Sequence, residues 1–162
     1  MREPGGTTLG ETVRELLLDS EHVRPWAEVF LFAAQRAQLA GDVVAPALDR
    51  GAWVISDRTY YSSIAYQGRA RGLGEERVRQ INETGLEGVI PGLVFVIEVD
   101  PGTALGRQHR PDRIGSEGVE FQEAVRTAYR SLASSDPDRV ILLDGLDSTE
   151  DLVDQVMGAL GR

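Results

Sequence analysis

Apolar residues fall into two kinds of pattern along this chain. Three runs are short and nearly unbroken: Trp53–Ile55, Leu93–Val99 and Val140–Leu143. Such runs mark strands covered on both faces, as in a parallel sheet. The other apolar positions recur at helical spacing. Val13, Leu16 and Leu17 give one face after Thr8, with Glu11 as a capping partner. Val29, Phe30, Ala33, Ala37 and Val44 give a longer face from Pro25 to Asp49, opened by Pro in the first turn. Val78 and Ile81 mark a helix over Glu75–Leu86, and Pro101 opens a short one to about Gly106. Phe121, Val125, Ala128 and Leu132 mark a helix over Glu117–Ser134. A terminal helix carries Leu152, Val153, Val156, Met157 and Leu160, capped by Ser148 or Thr149. Alternation of helices with buried strands predicts a three-layer α/β domain with a parallel sheet. The strands are placed at 52–56, 93–99 and 139–143, few for such a domain.

Composition narrows the field. With 162 residues, 41% apolar and 27% charged, the chain suits one soluble domain over 1–162. A net charge of −9 argues against general binding to nucleic acid or to anionic membranes. There is no Cys, so thiolate metal sites and disulfides are excluded. No apolar run approaches the ~20 residues that span a bilayer, and the N-terminus has no apolar signal core. The default compartment is the cytoplasm. All 17 basic residues are Arg, with no Lys.

The candidate chemistry begins where the first strand run ends, at Ser56-Asp57-Arg58. In open α/β sheets ligands sit beyond the carboxyl ends of strands. The Arg58 guanidinium is a planar fork that fits a phosphate, and Asp57 can orient it or hold a metal-bound water. A structural ion pair would look the same. Ser62 to Gln67 supply hydroxyls, an aromatic and an amide able to read a base edge. Phe32 and Arg36, four apart, share a helical face where a ring can stack on a base and a guanidinium can donate to its carbonyl. Core packing with a solvated charge is the plainer alternative. Arg2-Glu3-Pro4-Gly5-Gly6-Thr7-Thr8 is turn chemistry. Arg107, Arg110 and Arg113 lie within seven residues, with glycines following. They suit either a lid that places positive charge on a transferring phosphoryl group or a solvated loop.

Four ordered motifs make the whole chain resemble a thymidylate kinase: R-E-P-G-G-T at 2–7, A-E-V-F-L-F-A-A-Q-R at 27–36, D-R-T-Y-Y-S-S-I-A-Y-Q-G at 57–68, and D-R-I-G-S-E-G-V-E-F at 112–121. The resemblance implies a P-loop NTPase-type nucleoside monophosphate kinase that phosphorylates dTMP to dTDP with ATP and Mg2+. It implies roles residue by residue. Phe32 stacks on thymine and Arg36 donates to its carbonyl. Ser63 and Gln67 meet the pyrimidine edge, and Tyr66 lies under the sugar. Arg58 holds the monophosphate with Asp57 in support, and Glu3 and Pro4 shape the phosphate end. Arg107, Arg110 and Arg113 belong to the lid, with Arg110 or Arg107 on the phosphates. Arg58, Asp57 and Arg110 are thus the expected catalytic group. The resemblance also implies a homodimer through helices that include 25–49.

The departures matter as much. The family opens with a strand, a G-x-x-x-x-G-K-[ST] loop and a helix ahead of the R-E-P-G-G segment, and no such loop occurs here. Thr59, Gly92 and Gly115 are smaller departures. The expectation is therefore a truncated product with the N-terminal strand–P-loop–helix missing and no ATP phosphate-binding residues of that kind. Strands 52–56 and 93–99 would then face a gap, and the chain would fold poorly or borrow a strand. The alternative function under that expectation is a catalytically incompetent dTMP-binding fragment.

Overall fold

Only two of the three apolar runs become strands. The computed structural model describes residues 1–106 and 113–161. In it β1 (Val94–Glu98) pairs in parallel with β2 (Val140–Asp144), in register from Val94 opposite Val140 to Glu98 opposite Asp144. The connection between them carries α6 (Pro101–Gly106) and α7 (Val119–Ser135). A helical crossover is what joins parallel neighbours.

The segment expected as a strand at 52–56 is extended but is not one. Its backbone meets the first residues of the chain: the Met1 amino group donates to Ile55 O (2.7 Å), Asp57 N–H to Met1 O (2.9 Å) and Glu3 N–H to Asp57 O (2.9 Å). These amount to a single parallel bridge between Arg2 and Asp57. Trp53 is 64% and Ile55 82% exposed, and on β1 Ile97 is 58% exposed. Apolar character marked the segment correctly as sheet-like. A strand also needs a hydrogen-bonded ladder, and none forms along 52–56 among the described residues.

The helices follow the periodicity closely except over 60–70, where the sequence pattern predicts none. They are α1 (Thr8–Asp19), α2 (Pro25–Leu39), α3 (Ala45–Asp49), α4 (Tyr60–Ser63), α5 (Glu75–Leu86) and, after β2, α8 (Thr149–Ala159). Thr7 caps α1, accepting from Gly10 N–H at 2.9 Å. Glu11 reaches back to Gly6 N–H rather than to Thr8, and with Arg2 this holds its carboxyl below the usual range.

The long helix expected over Pro25–Asp49 is interrupted by a π-turn at Ala40–Val44, where Ala45 N–H donates five residues back to Ala40 O. Pro46 follows at once. Having no N–H, it cannot continue an α ladder, and a wider turn before it absorbs the mismatch. A second π-turn, Ile64–Ala70, continues α4. Gly68 lies in it because a Cβ there would stand 2.9 Å from the Glu75 Cα.

The main core lies between one face of the sheet and these helices. Tyr60, Tyr61, Ile64, Leu132 and Val140 are buried together, with Val94 and Val96 of β1 packed against them. A second cluster joins Ala65 to Val125 and Ala128 of α7. The 57–68 segment is therefore clamped between α7, α5 and α2, and its polar side chains face outward into one cleft.

Candidate active site

The cleft is a cavity of about 380 Å3, the size of a small-ligand pocket. Stretches far apart in sequence line it, among them the turn at Glu3-Pro4, the α2 face at Phe32 and Arg36, and the run from Asp57 to Gln67. Every substrate residue proposed from sequence lines it: Glu3, Pro4, Phe32, Arg36, Arg58, Ser63, Tyr66 and Gln67, together with Asp57.

Arg36 is 3% exposed, and its fork is held from three sides. Nε donates to Glu3 at 2.5 Å, and Nη1 donates to Ser63 Oγ at 3.3 Å and to Asn82 Oδ1. Asn82 is itself fixed by donating to Val78 O, 2.7 Å away within α5. Nη2 makes no such bond among the described residues. One edge of the fork is locked by protein and one remains for a ligand. Glu3 is the counter-ion of Arg36 in the cavity wall.

Arg58 sits at φ 69°, a left-handed backbone that a non-glycine residue seldom adopts. Strain of this kind clusters at functional sites. Its guanidinium lies 5.3 Å from the centre of the Tyr66 ring, a cation–π contact. Desolvation of its head group draws its pKa down. Tyr66, Tyr129 and Asp57 more than offset this, and the balance stands above the ordinary value. No ion pair of Arg58 occurs among the described residues, and the residue lines the cavity. Tyr129, half-buried on α7, exchanges a 2.8 Å hydrogen bond with Ser62 Oγ, and desolvation pushes its phenol up to about 12.

Arg113 is anchored by the protein. Its Nε and Nη2 donate to Leu17 O at 3.0 and 2.9 Å, and Nη2 donates to Glu28 at 2.7 Å. It ties the segment after residue 112 to α1 and α2 and does not line the cavity. Arg107 and Arg110 lie outside the described residues.

Sequence reasoning missed Glu28, Asn82 and Arg14. Glu28 is 0% exposed and accepts from Gln67 (2.8 Å), Arg71 (3.3 Å) and Arg113. Arg71 in turn pairs with Glu117 at 2.6 Å. Arg14 lines the cavity and donates to Pro4 O at 3.0 Å. Glu28 carried one signal: it stands four before Phe32 and eight before Arg36, on the α2 face that the pocket uses.

A cationic fork at the end of an extended segment, an aromatic ring and a polar amide rim around one cleft, on a helix-covered parallel sheet, define a nucleotide-binding α/β protein. Comparison with known proteins makes this specific. Residues 1–156 match the family model for thymidylate kinase. A thymidylate kinase of Caldanaerobacter subterraneus is 44% identical over 149 residues, covering 90% of this chain and 72% of that protein. One from Kosmotoga olearia is 42% identical over 161 residues, covering 97% and 77% respectively. The crystal structure of thymidylate kinase from Ehrlichia chaffeensis superposes with a TM-score of 0.83 at 29% identity, over 100% of this chain and 79% of that one. The chain belongs to the thymidylate kinase family, the nucleoside monophosphate kinases of P-loop NTPase fold.

Proposed function

We propose that this cavity is the acceptor site for dTMP, which the enzyme converts to dTDP with ATP as phosphoryl donor. The observation that carries the reading is the convergence of Phe32, Arg36, Arg58, Tyr66 and Gln67 on one cavity. Phe32 offers a face for the pyrimidine ring. Arg36, immobilised by Glu3 and Asn82, donates its remaining edge to a ring carbonyl. Arg58 takes the monophosphate bidentately. Tyr66 underlies the sugar between Arg58 and Phe121, whose ring it meets edge-on at 6.0 Å. In phosphoryl transfer the protein contributes positioning and charge neutralisation rather than covalent steps. A rigid, anchored acceptor site is what that chemistry requires.

ATP and Mg2+ accompany family membership. No group of three or more potential metal-ligating side chains occurs among the described residues. Mg2+ is commonly held by one or two carboxylates plus phosphate oxygens, so Asp57 at the cavity wall suits it. The ion, when bound, would neutralise charge on the phosphates. The exposed Trp26 and Phe30 on α2, 6.1 Å apart between ring centres, support a homodimer through this helix. No described helix is long and apolar enough to cross a membrane, in keeping with a cytoplasmic enzyme.

Calorimetric titration tests the site, and coupled ADP release tests turnover. dTMP should bind with one site per chain, and thymidine, lacking the phosphate, far more weakly. Equal affinity for the two would remove Arg58 from its role. No binding of either would end the reading.

A further inference from the structure

Glu28 is a fully buried carboxylate placed behind the cavity, not in it. Its Oε1 accepts from Gln67 Nε2 at 2.8 Å and from Arg71 Nε at 3.3 Å, and its Oε2 accepts from Arg113 Nη2 at 2.7 Å and Arg71 Nη2 at 3.5 Å. A carboxylate in that position can only accept. It therefore dictates which end of the Gln67 amide faces it, since an amide has one donating and one accepting end. With the NH2 on Glu28, the carbonyl Oε1 is the end left for the cavity that Gln67 lines. That oxygen takes no hydrogen bond among the described residues, although Gln67 is only 2% exposed.

We infer that Glu28 is a positioning residue for base recognition: it orients Gln67 so that an acceptor meets the N3–H of thymine. The inference rests on the reading of the cavity as the dTMP site. Thymine and uracil carry a donor at N3, whereas cytosine carries a lone pair there and would meet the Gln67 oxygen as a like partner. A site that hydrogen-bonds a substrate N–H rejects analogues lacking it, because its own buried group is left unpaired. Arg71 and Arg113 complete the device. Two guanidiniums hold the Glu28 carboxylate in place, so the amide has no reason to flip.

The probe is 5-methyl-dCMP, which keeps the ring, its methyl group and the C2 carbonyl but carries a lone pair at N3 where thymine has N–H, and an amino group at C4. The native chain should bind dTMP about tenfold or more tightly than 5-methyl-dCMP. In Glu28→Gln the neighbour can donate or accept, Gln67 is released to flip, and the preference should fall about tenfold, leaving only the contribution of the C4 group. The exchanged pair, Glu28→Gln with Gln67→Glu, again holds an acceptor against the base and should regain most of the preference. A merely structural role for Glu28 predicts weaker binding of both nucleotides with the ratio unchanged in the single variant, and no recovery in the double. That outcome overturns the inference.

If the single variant does not fold, exchange of the Gln67 side-chain amide protons in the native chain decides. They should be protected before any nucleotide is added. Protection that appears only with dTMP, or never, overturns the inference. A native chain that binds both nucleotides equally removes the inference and leaves the dTMP site. One that binds neither removes both.

Discussion

The pair Glu3–Arg36 offers the sharpest test of how this site is held together. Their side chains are 9% and 4% exposed, and Nε stands 2.5 Å from the carboxylate. Removing one member of a buried pair strands the other charge, at a cost of about 3–5 kcal/mol. Arg36→Met belongs to that case: Glu3 loses its cation, and Ser63 and Asn82 each lose a donor. We expect a loss of about 3–4 kcal/mol. Glu3→Gln keeps an acceptor beside Nε but removes the charge. It should cost less, about 2 kcal/mol, the gap between a charged and a neutral hydrogen bond plus part of the cation's desolvation. The double variant puts neutral groups of similar size in contact, so its loss should be about 2–3 kcal/mol, well short of the sum.

Urea denaturation of the four proteins measures this directly, provided the slope m is unchanged. Thermal midpoints should fall by about 2–4 °C per kcal/mol at this chain length. If the losses add to within about 0.5 kcal/mol, the two residues are independent. The account of Arg36 as a fork locked by its protein partners would then be wrong.

Other consequences follow from the same geometry. Phe32→Ala should weaken dTMP binding by about tenfold or more, since stacking of a base on an aromatic ring is worth about 1–3 kcal/mol, with little change in melting temperature. Arg58→Ala should reduce kcat/KM by about a hundredfold or more and abolish the advantage of dTMP over thymidine in calorimetry. Arg58→Lys should restore little, because a point charge does not replace the fork. Glu98 accepts from Arg130 (2.5 and 2.7 Å) and from Arg126 (3.1 Å), and the Arg130 bonds above all hold its pKa below the ordinary carboxylate value. A depressed folded pKa stabilises above the unfolded pKa and is lost as pH falls through the folded one. Stability should therefore drop below about pH 4, and Glu98→Gln should flatten that acid limb in a pH series of melts.

Much of this could be read from the chain itself. Outside 60–70, periodicity set the helices to within a few residues, because a buried helix face must repeat with the turn. The run Leu93–Val99 and the run Val140–Leu143 became β1 and β2, where each found the other as a parallel partner. Residue chemistry, together with four ordered motifs, picked out Phe32, Arg36, Arg58, Ser63, Tyr66 and Gln67. Tertiary structure decided what those residues are attached to. Strand status at 52–56 depended on a partner ladder, which no local pattern encodes. The roles of Glu3 and Arg113 depended on where folding brought charges 33 and 85 residues distant: Arg36 for the first, Glu28 for the second. Glu28 read in sequence as one more acid on a helix. Only packing removed it from water and set two guanidiniums and an amide around it, since the environment of a charge is a property of three dimensions and its identity a property of one.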